Sequence, residues 1–174
     1  MEIKIEKDIK LVLSNKIFEK LRDCVNKSLP NEACGIIFGE INQIRKKIYC
    51  DDFEYHYKAN NFECIQSDNK SMASFLIENV QDLHEIIQTR LDLKNKKRLI
   101  SIFHSHPSGA HPSSTDLDQM KFLDNFSSSE QRFISKAFKN LIWTIMSSKN
   151  YDLRGFIYLN SNFFQIEVII KDDL

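Results

Sequence analysis

The chain has 174 residues, of which 42% are apolar, 11% aromatic and 28% charged, a composition that can bury a core and that excludes disorder along its whole length. Its 24 basic residues balance 24 acidic ones, and a formal charge of zero argues against a broad electropositive surface and against a nucleic-acid partner. The size fits a single domain over residues 1–174.

Met1 to Lys7 is charged at every second or third position and lacks the apolar centre of a secretory signal, so the chain is expected to be cytoplasmic. No apolar run approaches the roughly 18 residues needed to cross a bilayer. The densest stretch is Leu141 to Met146, and no membrane partner is expected. Cys24, Cys34, Cys50 and Cys64 contain no Cys-x-x-Cys pair and are expected to be reduced thiols.

Ile9 to Leu13 alternates apolar and polar residues and predicts a strand, with Ser14 as the N-cap of a helix. In that helix Ile17, Phe18, Leu21 and Val25 recur three or four apart, and Pro30 closes it. Cys34 to Asn42 and Gln43 to Cys50 predict two antiparallel strands, and Tyr55 to Tyr57 extends them as a meander. One apolar stripe, Met72, Phe75, Leu76, Val80, Leu83, Ile87 and Leu91, predicts a long helix from Ser71 to Leu91. The basic run Lys94 to Arg98 reads as a solvated loop. Leu99 to Phe103 is a short strand leading into a loop that holds Pro107, Gly109 and Pro112, after which a helix starts at Ser114.

Ser127-x-x-Glu130, followed by Phe133, Ile134, Ala137 and Phe138, predicts a short helix within 125–140. Leu141 to Met146, Leu153 to Leu159 and Phe163 to Ile170 are three closing strands, the last two joined through Asn160-Ser161-Asn162. The expected fold class is α/β, a mixed and mainly antiparallel β-sheet flanked by helices.

Three of the five histidines fall in Phe103-His104-Ser105-His106-Pro107-Ser108-Gly109-Ala110-His111-Pro112-Ser113-Ser114-Thr115-Asp116. On an extended backbone His104 and His106 share a face while Ser105 points away. With Asp116 they make three protein ligands and leave a fourth tetrahedral position for water, the pattern of a catalytic zinc. Singly, each residue has a plainer reading: a histidine at a strand end is usually a satisfied side chain, and Ser113-x-x-Asp116 also reads as a capping box. Their concentration within thirteen residues favours a metal site, and His111 is left as a loop residue.

This arrangement resembles the motif of the JAMM (JAB/MPN) metalloprotease family: His-x-His, about seven residues, Ser-x-x-Asp, and a glutamate far upstream. Six residues, Pro107 to Pro112, separate His106 from Ser113 here, one fewer than usual, with Asp118 as the substitute ligand should the shorter loop shift the register. Pro30-Asn31-Glu32-Ala33-Cys34-Gly35-Ile36-Ile37-Phe38-Gly39 is similar to the family's glutamate motif, with Glu32 at the matching position. The resemblance implies a JAB/MPN-like sheet with cytidine-deaminase-like layering and one Zn2+ per chain on His104, His106 and Asp116. It also implies Glu32 as general base and Ser113 as hydroxyl donor to the developing oxyanion.

By the same resemblance, the expected activity is a zinc-dependent peptidase or isopeptidase. The substrate is then the C-terminal tail of ubiquitin or of a ubiquitin-like or sulfur-carrier protein, lying extended along a strand edge near the site. The alternative is an MPN scaffold subunit of a larger assembly, inactive or activated by a partner; homo-oligomerisation and a regulatory partner both stay open. Two readings rank lower. RadC-like relatives share His104-x-His106-Pro107-Ser108-Gly109, but their helical DNA-binding region has no room here and the charge is neutral. An iron oxygenase uses the same ligand types but needs an all-β jelly roll. Cys34 reads as a small buried residue, not a nucleophile.

Overall fold

The computed structural model describes residues 5–46, 52–65, 98–125 and 138–172. A single turn, α1 (Ile5–Asp8), leads into β1 (Ile9–Ser14) and α2 (Asn15–Ser28). Ser14 caps α2 as its sequence predicts, its hydroxyl accepting from the Ile17 amide at 3.2 Å. The helix stops two residues before Pro30, because the residue preceding a proline is pushed out of helical conformation; Leu29 is extended, with ψ 137°. Ile17, Leu21, Cys24 and Val25 are buried along one stripe.

The chain continues through β2 (Cys34–Arg45), β3 (Phe53–Ile65), β4 (Arg98–His106), α3 (Ser114–Asn125), β5 (Ile142–Ser147), β6 (Leu153–Leu159) and β7 (Asn162–Lys171). The sheet order is β1-β3-β2-β4-β5-β6-β7, and β7 returns to β1, so the sheet closes on itself. Closure comes from β1, which runs parallel to both β3 and β7. β4 and β5 are also parallel, and the remaining neighbours are antiparallel.

The predicted α/β class and mixed sheet hold, but several boundaries differ. The two strands expected over Cys34 to Cys50 are one continuous strand as far as Arg45, because β3 accompanies it from Cys34↔Ile65 to Arg45↔Phe53 and supplies pairing that the polar residues after Gly39 do not advertise. The register shifts between Phe38 and Gly39, where a Cβ on Gly39 would lie 2.0 Å from the Lys58 carbonyl oxygen, so only glycine permits this approach. The turn between β6 and β7 places Asn160 (φ 49°) and Ser161 (φ 64°) in the left-handed region, the geometry of a two-residue hairpin. The helix expected over Ser71 to Leu91 lies outside the described residues, as does nearly all of the 125–140 segment. Phe138 is described, and it is buried with Met120, Leu123 and Leu141.

β4 feeds two apolar clusters, one on each face of the sheet, and the register shift against β2 that leaves Ile100 without a partner residue interrupts its strict alternation. Ile100 and Phe103 join Leu11, Leu21, Ile37 and Met146 on the α2 side, while Leu99 and Ile102 join Ile36, Trp143, Ile145 and Met120 on the α3 side. Every residue of β4 after Arg98 is buried. From Ser101 to His104, β4 is paired with β2 on one side and with β5 on the other.

The expectation of four reduced thiols is corrected. Cys24 and Cys64 form a disulfide across 40 residues of sequence, joining α2 to β3. Packing of α2 against β3 brings these cysteines together, and no local spacing reveals such a pair. Cys34 is free and buried, its thiol donating to the Ile65 carbonyl at 3.3 Å, and burial followed by the nearby Glu32 charge pushes it up to about 11. Cys50 lies outside the described residues. Peptide mapping of the unreduced protein is expected to recover a Cys24–Cys64 linked pair, and reduction to lower stability by about 2–4 kcal/mol in urea unfolding. Free alkylation of Cys24 in the unreduced protein would refute the pairing.

Candidate metal centre

β4 runs three residues further than its apolar run predicts, so His104 and His106 belong to the strand itself and project from one face. Between them Ser105 points to the other face, where its hydroxyl accepts from the Ala33 amide at 2.8 Å and its own amide donates to the Ala33 carbonyl at 3.0 Å. This clamp fixes the loop carrying Glu32 against the strand carrying the histidines. Sequence reading missed the role of Ser105, and its only signal was a small hydroxyl residue between the two histidines.

The third member arrives from α3. Ser113 is the cap: its hydroxyl accepts from the Asp116 amide at 3.2 Å, and in return Asp116 Oδ2 accepts from the Ser113 amide at 2.6 Å and hydroxyl at 2.7 Å. The capping box is therefore formed, and the same residues bring Asp116 to the two histidines. Asp116 sits in the first turn, where the helix dipole favours negative charge. Asp118 is exposed and outside the cluster, so the shorter loop has not shifted the register.

The three side chains converge. His104 Nε2 and His106 Nε2 are 3.1 Å apart, and the carboxylate straddles them with Oδ1 3.2 Å from His104 and Oδ2 3.3 Å from His106. All three residues are buried. His106 Nδ1 lies 2.9 Å from the His111 carbonyl oxygen, which can only accept, so His106 carries its proton on Nδ1 and turns an Nε2 lone pair inward when neutral. His104 packs edge-on to Trp143 at 5.8 Å, and among the described residues its Nδ1 has no partner.

The electrostatics follow from this crowding. Burial alone would push the Asp116 carboxyl up, but hydrogen bonds with His104 and His106, and the Ser113 hydroxyl, hold it far below the usual carboxylate range. His106 is raised, first by its hydrogen bond to Asp116 against the opposing effect of burial, then by the charges of Asp116 and Glu32. Glu32 is half-buried in the loop before β2, and its charge adds to the rise at His106.

These donors fit a metal ion. A tetrahedral ion with ligands at about 2.0–2.1 Å has ligand atoms about 3.3 Å apart, comparable to the 3.1 Å between the imidazole nitrogens. Two imidazoles with one carboxylate suit a transition metal or zinc better than calcium or magnesium, which favour oxygen.

A family model describing prokaryotic homologs of the JAB domain matches residues 14–155. The chain belongs to this prokaryotic JAB family. JAB/MPN proteins include the JAMM metalloisopeptidases, as the sequence resemblance implied. No curated protein sequence matches. Among solved structures, a protein from Desulfitobacterium hafniense is 19% identical, with 94% of each chain covered and a TM-score of 0.58, which shows the shared fold. A JAB1/MPN domain protein from Archaeoglobus fulgidus is 12% identical, covering 93% of this chain and 98% of that one at a TM-score of 0.48. A protein from Salinibacter ruber is 15% identical, covering 92% of each at 0.49. No helix among the described residues is long and apolar enough to cross a membrane.

Equilibrium dialysis against Co2+ is expected to give a saturable site in the wild-type JAB domain that His104→Ala and Asp116→Ala remove and Asp118→Asn leaves intact. Retention of that site in His104→Ala would show that the cluster does not hold the metal.

Proposed function

We propose that this JAB-family chain is a zinc-dependent metallopeptidase or isopeptidase that cleaves at the C-terminal tail of ubiquitin or of a ubiquitin-like or sulfur-carrier protein. The observation that carries the reading is the convergence of His104, His106 and Asp116 beside the Glu32 loop, which the Ala33–Ser105 pair joins to β4. A bound zinc ion supplies a Lewis acid that polarises a carbonyl and makes water more acidic.

The chain's own residues then divide the work. His104 and His106 present imidazole nitrogens to the ion, and Asp116, kept ionised by its surroundings, contributes the negative charge. Glu32 takes the proton of the attacking water and passes it to the leaving amine. Its loop is fixed by the Ala33–Ser105 clamp, which supports that role by holding the neighbouring backbone against β4. The Ser113 hydroxyl donates a hydrogen bond to Asp116 in the resting structure. To stabilise a developing oxyanion the hydroxyl turns towards the substrate, while the Ser113 amide keeps its hold on Asp116.

Cleavage of a ubiquitin-like protein carrying a C-terminal fusion tests the reading. Glu32→Gln is expected to retain zinc and to lose about 10²- to 10⁴-fold in rate. A wild-type protein without zinc would overturn the metallopeptidase, and zinc without cleavage of any fusion would favour the scaffold or partner-activated role.

A further inference from the structure

Arg154 lies outside both sequence motifs. Cys34, His104, Ile145 and Arg154 stand in register across β2, β4, β5 and β6, so Arg154 emerges on the face of the sheet that carries His104. Its Nε donates to Asp152 Oδ2 at 3.0 Å, and a terminal nitrogen donates to His111 Nε2 at 2.8 Å. A guanidinium has donors only, so His111 accepts through Nε2 and carries its proton on Nδ1.

The backbone of His111 faces the other way. Its carbonyl accepts from His106 Nδ1 and so fixes the tautomer of that imidazole. Asp152, Arg154, His111 and His106 thus form one line of contacts from the start of β6 to the cluster. The loop between them contains Gly109 at φ +145°, with nothing within 4 Å of where a Cβ would stand. Beyond it, buried Ala110 and the Arg154-bound His111 side chain anchor the stretch whose carbonyl meets His106.

We propose that Arg154 is a positioning residue for the metal centre: through His111 it holds the carbonyl that sets the orientation and tautomer of His106. The inference rests on the reading of His104, His106 and Asp116 as metal ligands. It assigns a task to His111, which the motif leaves as a loop residue, and to an arginine some forty residues downstream, bonded across a sequence separation of 43.

Competition titration with Co2+ tests it, alongside thermal melting of the metal-free protein. Arg154→Ala and His111→Ala are each expected to weaken Co2+ binding about 10- to 100-fold while leaving the metal-free melting temperature unchanged. The double variant is expected to bind no more weakly than the weaker single variant, because both act on one carbonyl. Arg154→Lys, which keeps a donor for His111, is expected to recover part of the loss. Wild-type affinity in Arg154→Ala, or additive losses in the double variant, would overturn the inference. A wild-type protein that binds no Co2+ would instead overturn the metal-centre reading, and this inference with it.

Discussion

The alternation of side chains at the end of β4 is the constraint on which the site depends. His104 and His106 face one side and Ser105 the other, and both sides are buried. One residue's slip of register would turn both imidazoles away from Asp116 and withdraw Ser105 from Ala33 together. Such a slip is opposed from both flanks, because β4 is paired antiparallel to β2 and parallel to β5. The same three residues therefore set the geometry of the cluster and of the glutamate loop.

Burying Asp116 would be costly without compensation. The compensation is local and redundant: an amide, a hydroxyl, a helix N-terminus and two imidazoles all favour its ionised form. A capping box ordinarily serves only to start a helix. Here it also aims a carboxylate at the end of a strand, so helix formation and completion of the site are one event.

Behind the glutamate loop the structure is firmly packed. The Cys24–Cys64 bridge ties α2 to β3. Gly35, beside Cys64 in the β2–β3 register, has the Phe62 ring and the Glu63 carbonyl where a side chain would be, and Phe62 in turn meets Phe103 edge-on at 5.3 Å. Glu32 thus belongs to a short segment between a stapled helix and a glycine-lined strand, a setting that fixes the backbone from which it projects.

Local order in the sequence determined a good deal by itself. The Ser14 cap, the α2 stripe, the closing strands and the turn at Asn160 depend on neighbours three or four residues away, and all were legible there. So was the grouping of His104, His106 and Asp116, because His-x-His and Ser-x-x-Asp each fix a relative geometry through strand and helix periodicity. Only the tertiary structure decided how those pieces meet: the closure of the sheet through β1, the full length of β2, the Cys24–Cys64 bond, the Ser105–Ala33 clamp and the Arg154–His111 contact. Apart from the short-range end of the β2–β3 pairing, each joins residues tens to more than a hundred positions apart. The physical reason is that periodicity specifies which face a side chain takes, whereas its partner on that face is selected by strand pairing and packing across the whole domain.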